Sequence, residues 1–141
     1  MTFAIQRLAP EDYDEAYALW ERTPGMHLHS LNNTYGGISS IIENNPFTCF
    51  KAIDEGGHLI ATALGATDGR KGYLYHVAVD ESHRGQGIGS ALIKRVLDTL
   101  KARGITTIGL FVAKNYPPAK EFWLKQHFKE RHDVEYLDID L

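Results

Sequence analysis

The sequence predicts an α/β domain of three layers, with a mixed, mostly antiparallel central sheet between helices on both faces. Three stretches predict it. Two β-rich runs flank the turn Glu55-Gly56-Gly57, a strand, glycine loop and amphipathic helix occupy 73–103, and a β-branched run followed by a proline-led helix occupies 106–126. At 141 residues the chain has the usual size of one domain, about 100–150 residues, and 1–141 is expected to form one core without staples.

Phe3, Ile5 and Leu8 mark a first strand. Pro10-Glu11-Asp12 opens a helix carrying Tyr13, Ala16, Tyr17 and Trp20 near helical spacing, and Thr23-Pro24-Gly25 ends it. Between His27 and Pro46 the pattern is one broken helical element, with Leu31, Ile38, Ile41 and Ile42 along it and Gly36-Gly37 interrupting it. Segments 48–54 and 58–67 read as a hairpin, and Asp68-Gly69-Arg70 turns the chain into a strand over 73–79.

The next helix shows a stripe of Ile88, Leu92, Val96, Leu97 and Leu100, with Gly104 where a C′ residue belongs. Segment 106–113 reads as a buried strand. Pro117-Pro118 starts a helix through Gln126, because the first turn does not need the N–H that proline lacks. The remainder, 128–141, alternates enough for two closing strands around His132-Asp133.

Composition narrows the function classes. Fifteen Lys and Arg against 18 Asp and Glu give a net charge of −3, which offers no attraction to nucleic acid. The lone Cys49 forms no intramolecular disulfide, and no Cys/His spacing suggests a metal site. With neither a leader pattern nor an apolar run of about 18 residues, the expectation is a cytoplasmic protein without a membrane partner.

The chemistry concentrates in Arg84-Gly85-Gln86-Gly87-Ile88-Gly89. A glycine-rich turn at a helix start offers unpaired N–H groups and the positive end of the helix dipole, which suits phosphate oxygens. Two nucleotide motifs fail on spacing. A Rossmann loop wants a third glycine where Ser90 stands and an acid where Ala113-Lys114-Asn115 ends the next strand; a Walker loop wants Gly-Lys-Ser/Thr. Gly87 and Gly89 would let a diphosphate approach the backbone, and Arg84 would add charge there or bind a neighbouring carbonyl or acid. A plain tight turn is the competing reading.

Strand, Arg84-x-x-Gly87-x-Gly89, helix, strand, then Asn115, Ala119, Phe122-Trp123 and Phe128, resembles the GCN5-related N-acetyltransferase superfamily over nearly the whole chain. The resemblance implies that the loop from Arg84 through Gly85, Gln86, Gly87, Ile88 and Gly89 to Ser90 cradles the pyrophosphate of acetyl-CoA. It implies a bulged strand at 73–79, splayed from 106–113, whose backbone at Val77, Ala78 and Val79 pairs with the pantetheine arm. It places Asn115, Ala119, Phe122 and Trp123 on the cofactor side. The implied reaction is direct attack of a primary amine, on a small molecule or a peptide, in a ternary complex. Acetyl-CoA would be the cosubstrate, and no metal is called for.

Cys49, in the apolar run Phe47-Thr48-Cys49-Phe50, is then an inert buried thiol. Tyr75 stands where some relatives carry a base, and with a reference pKa of about 10 it is a poor one. His76 has better chemistry, but strand alternation points it away from Tyr75. Relatives commonly place a proton-donating tyrosine where this chain has Trp123, and glycine where it has His127. An indole N–H does not ionise in the working range, so the acid role passes to Tyr116, Tyr136 or water. Phe122 is expected in the helix core, and Asn115 serves either the pantetheine or a helix N-cap.

By resemblance the acceptor enters over the first two helices and the closing hairpin, where Trp20, Met26, His27, His29, Asn32, Asn33 and Tyr35 form an aromatic and polar wall. A homodimer through the closing strands is compatible with that likeness. The second functional reading is a catalytically weak or silent acyl-CoA-binding module, suggested by Trp123 and the missing base.

Overall fold

The computed structural model describes residues 2–26, 28 and 32–141. Five strands form one sheet in the order β1 (Ala4–Arg7), β2 (Cys49–Ile53), β3 (Leu59–Thr67), β4 (Gly72–Val79) and β5 (Ile108–Gly109). β1 to β4 pair antiparallel and β4 pairs with β5 in parallel, the mixed sheet that the sequence predicts. Helices α1 (Tyr13–Glu21) and α2 (Tyr35–Asn44) cover one face around Leu19, Trp20 and Leu64. Helix α3 (Ile88–Ala102) covers the other through Leu92, Val96 and Leu100, joined by Trp123 of α4 (Pro117–Lys125).

Burying one such side chain contributes about 1.5–3 kcal/mol. The packing of α3 leaves no slack: a Cβ on Gly65 of β3 would stand 2.6 Å from Val96 Cγ1. Gly104 takes φ +86 just past α3, as expected of its C′ residue.

Helix α2 corrects the expectation of a break at Gly36-Gly37. Both glycines lie in its first turn, where Thr34 caps the helix by accepting from the Gly37 N–H at 3.1 Å. Gly37 is required by close approach, because a Cβ there would lie 2.3 Å from the Asn32 carbonyl oxygen. His27, His29 and Leu31 lie outside the described residues.

Two strand expectations fail at the carboxy-terminal side. Of 106–113 only Ile108–Gly109 pairs, and 129–141 forms a bend at 132–133 with no strand. Alternation supplies a face, but a strand also needs a partner backbone, and the two-residue β5 presents too short an edge. Val134, Tyr136, Leu137 and Ile139 are accordingly exposed. No helix among the described residues is long and apolar enough to cross a membrane.

Candidate active site

β4 delivers the chain to the glycine loop, and its outer edge is open. It pairs with β5 only at Gly72 and Tyr73, after which the two strands part. Beyond Val79 a short turn (Glu81–His83) leads to Gly85 and Gly87, both left-handed at φ +81 and +78. No side chain caps α3, and its first backbone bond runs from Ala91 N to Gly87 O at 3.0 Å. The N–H groups of Ile88, Gly89 and Ser90 therefore precede the helical ladder, at the positive end of the dipole.

A Cβ on Gly85 or Gly87 would meet nothing within 4 Å. Open space, unladdered N–H groups and the helix dipole together fit a pyrophosphate. Arg84 takes the second of its two expected roles, donating from Nε to the Val79 carbonyl at 3.2 Å and so tying the loop to the end of β4.

A bulge in β4 reshapes the expected strand. Leu64 pairs with Tyr75 and Thr62 with Ala78, so β3 has one residue between these pairs and β4 has two, His76 and Val77. His76 takes φ +50. This breaks the alternation: Tyr75 and His76 line the same cavity, contrary to the expectation of opposite faces. Val77 and Val79 pack toward α3 and Ala78 toward α1 and α2, leaving only their backbone at the open edge.

The bulge is held by a buried chain of donors. Trp20 Nε1 donates to Thr62 Oγ1 at 2.9 Å, and Thr62 Oγ1 donates to the His76 carbonyl at 2.7 Å. The Trp20 ring meets the His76 ring edge to face at 4.4 Å. Trp20 is fully buried, so it supports the site from beneath and is not part of the ligand wall that the sequence suggested.

The imidazole is fixed from its other side. Asn33 Nδ2 donates to the Leu28 carbonyl at 2.7 Å, which turns Asn33 Oδ1 toward His76 Nε2, also at 2.7 Å. The network assigns the hydrogen to Nε2. Burial pushes the His76 pKa down to about 4, so the ring is neutral at pH 7. The cavity, about 320 Å³, is bounded by Asn33, Ile38, Ile41, Leu64, Tyr75 and His76. Burial raises the Tyr75 pKa, which makes its hydroxyl a donor and not a base.

The other candidates are spread out. Tyr116 is the N-cap residue of α4, and its ring covers Gly25, where a Cβ would fall 2.9 Å from Tyr116 Cδ2; it does not line the cavity. Tyr136 is 61% exposed with its ring 4.8 Å from Phe111, and an Asp138 hydrogen bond raises its pKa. Asn115 sits in the turn before that cap, so it is not the helix cap. Ala119 is half-buried, and Ser90 Oγ accepts from Gln126 Nε2 at 3.4 Å.

Phe122 does not take the helix-core place expected of it, and Trp123 holds that place. Trp123 packs against the α3 core and Phe128, while Phe122 is 38% exposed and borders the loop, 4.0 Å from a Cβ placed on Gly89. Cys49 is buried and burial pushes its thiol up to about 12, the inert state expected. Among the described residues no group of three or more His, Cys, Asp or Glu could hold a metal ion.

A model of the acetyltransferase (GNAT) family matches residues 6–128. Acetyltransferase SG1711 of Sodalis glossinidius (strain morsitans) is 32% identical over 102 residues, which are 72% of this chain and 70% of that protein. Ard1 from Thermoplasma volcanium superposes with a TM-score of 0.79 at 21% identity, over 92% of this chain and 84% of its own. A GNAT-family acetyltransferase from Staphylococcus aureus Mu50 gives 0.78 at 18% identity, over 99% and 95%. At these identities the two structures speak for the fold.

Proposed function

Because the chain belongs to the acetyltransferase (GNAT) family, we propose that it binds acetyl-CoA along the glycine loop and the open edge of β4 and transfers the acetyl group to a primary amine. The observation that carries this reading is the continuity of the two features: an uncapped helix start with open space over Gly85 and Gly87 follows directly on a bulged strand that has lost its neighbour after Tyr73. Acetyl-CoA supplies an acetyl group activated as a thioester. In the transfer the amine nitrogen forms the new C–N bond, the C–S bond breaks, a proton leaves the nitrogen, and the thiolate takes one up.

The residues divide this work by their chemistry. N–H groups of Ile88, Gly89 and Ser90 bind the pyrophosphate, and backbone at Val77, Ala78 and Val79 pairs with the pantetheine. A main-chain N–H at the bulge polarises the carbonyl. Tyr75 donates a hydrogen bond, and the amine loses its proton to water. Tyr116 and Tyr136 are the side-chain candidates for protonating the thiolate, with water as the third donor; Trp123 packs and donates no proton. Asn115, Ala119 and Phe122 border the same cleft. The protein acts as one domain in the cytoplasm, on a small-molecule or peptide amine.

The cavity lining favours one competitor, a silent acyl-CoA-binding module, since the described side chains around it include no carboxylate to serve as a base. Thiol release from acetyl-CoA over a panel of amines separates the two. Release stimulated by an amine supports transfer, and saturable CoA binding without it supports the module.

A further inference from the structure

We propose that the acceptor is an aryl-alkylamine, a monoamine with a flat uncharged ring, which lies along Tyr75, Tyr73 and Phe111 while its amine reaches the open edge of β4. The inference rests on the acetyltransferase reading and adds the class of substrate. Three observations carry it.

The first is a row of aromatic rings leading out of the cavity. Tyr75 and Tyr73 stand 6.1 Å apart with planes 24° apart, and Tyr73 and Phe111 stand 6.4 Å apart with planes 8° apart. Near-parallel rings at these separations are offset stacks, so each leaves part of its face open. Phe111 meets the Tyr136 ring on one side at 4.8 Å and is still 60% exposed, an apolar surface that a ligand ring would remove from water.

The second is charge. Among the described residues that line the cavity none is a carboxylate, ammonium or guanidinium, and the His76 imidazole is neutral at pH 7. Those side chains leave the desolvation of a second cation uncompensated, and Asp138 is bonded to Tyr136, whose ring meets Phe111. At the outer end, Lys71 Nζ lies 5.4 Å from the Tyr73 ring centroid, where it repels a polycation and leaves a neutral ring unaffected.

The third is position. The row starts at Tyr75, beside the bulge, and crosses to Phe111 on the segment that parts from β4. A ring seated there leaves an alkyl spacer to carry the amine to the β4 edge.

The test uses the full chain with acetyl-CoA and compares phenethylamine, n-butylamine and spermidine, in the wild type and Phe111→Ser, alongside calorimetric titration of phenethylamine into the CoA-loaded protein. The expected result is a kcat/KM for phenethylamine at least about tenfold above both other amines, and a KM about tenfold higher in Phe111→Ser with a much smaller change in kcat. Turnover without ring preference, or a KM unmoved by Phe111→Ser, overturns the inference and leaves acetyl transfer standing. Phenethylamine binding that weakens in Phe111→Ser without any turnover upholds the pocket and overturns acetyl transfer. Neither binding nor turnover overturns both.

Discussion

His76 Nε2 lies 2.7 Å from Asn33 Oδ1, joining the bulge of β4 to the segment before α2 across 43 residues of sequence. The contact exists only because the bulge turns His76 toward α2, and the Trp20–Thr62 chain holds that turn in place. One half-buried imidazole thus couples the open strand edge to the wall of the cavity.

This coupling gives stability a pH dependence of known sign. The His76 pKa falls from 6.5 to about 4 on folding because burial disfavours the charged ring. As pH drops, the unfolded chain takes up the proton first. The contribution is complete above pH 6.5 and is lost progressively down to pH 4, to a total of about 3 kcal/mol. Urea midpoints measured across that range should fall less steeply in His76→Asn, which tolerates positive φ and does not titrate. Identical slopes would contradict the assignment.

Thr62 is the hinge of the donor chain. Thr62→Val leaves the Trp20 indole N–H and the His76 carbonyl without their partner in a buried setting, and should cost about 2–4 kcal/mol. Thr62→Ser keeps both bonds and should recover most of it. Equal losses in the two variants, by urea unfolding, would show that packing and not the hydroxyl matters.

These contacts are the part of the site that the sequence does not display. Strands β1 to β4, α1, α3 and α4 were legible because their apolar periodicity, turn glycines and proline starts all agree. The bulge was not, since period-2 alternation through Tyr75-His76-Val77 contains no sign of an inserted residue; a histidine at positive φ is visible only in the backbone. Asn33 was legible as part of the acceptor wall, where it does line the cavity, but its bond to His76 was not, because tertiary structure fixes that partner. The alternation in 128–141 defines a face but no edge to pair with, and the order Phe122-Trp123 does not by itself tell which ring of α4 docks on α3.

At His127 the structure explains a residue that the sequence marked only as unusual. Phe128 N–H bonds to the Trp123 carbonyl at 3.1 Å and His127 N–H to the Leu124 carbonyl at 3.1 Å, a Schellman closure of α4 with His127 at φ +71. His127→Gly should raise stability by about 0.5–1 kcal/mol, after the freedom that glycine gains in the unfolded chain is counted. His127→Ala should give no gain. A stabilisation by alanine as large as that by glycine would contradict the backbone origin.

The central claim is that the loop between β4 and α3 holds the pyrophosphate of CoA, and calorimetric titration of CoA into Gly87→Glu tests it most directly. A side chain at φ +78 carries strain, so Gly87→Ala serves as the control that shares the strain without the charge. The expected result is binding heat in the wild type, weakened binding in Gly87→Ala, and none in Gly87→Glu, with the two variants melting within a few degrees of each other. CoA affinity in a folded Gly87→Glu equal to that of the wild type would contradict the account.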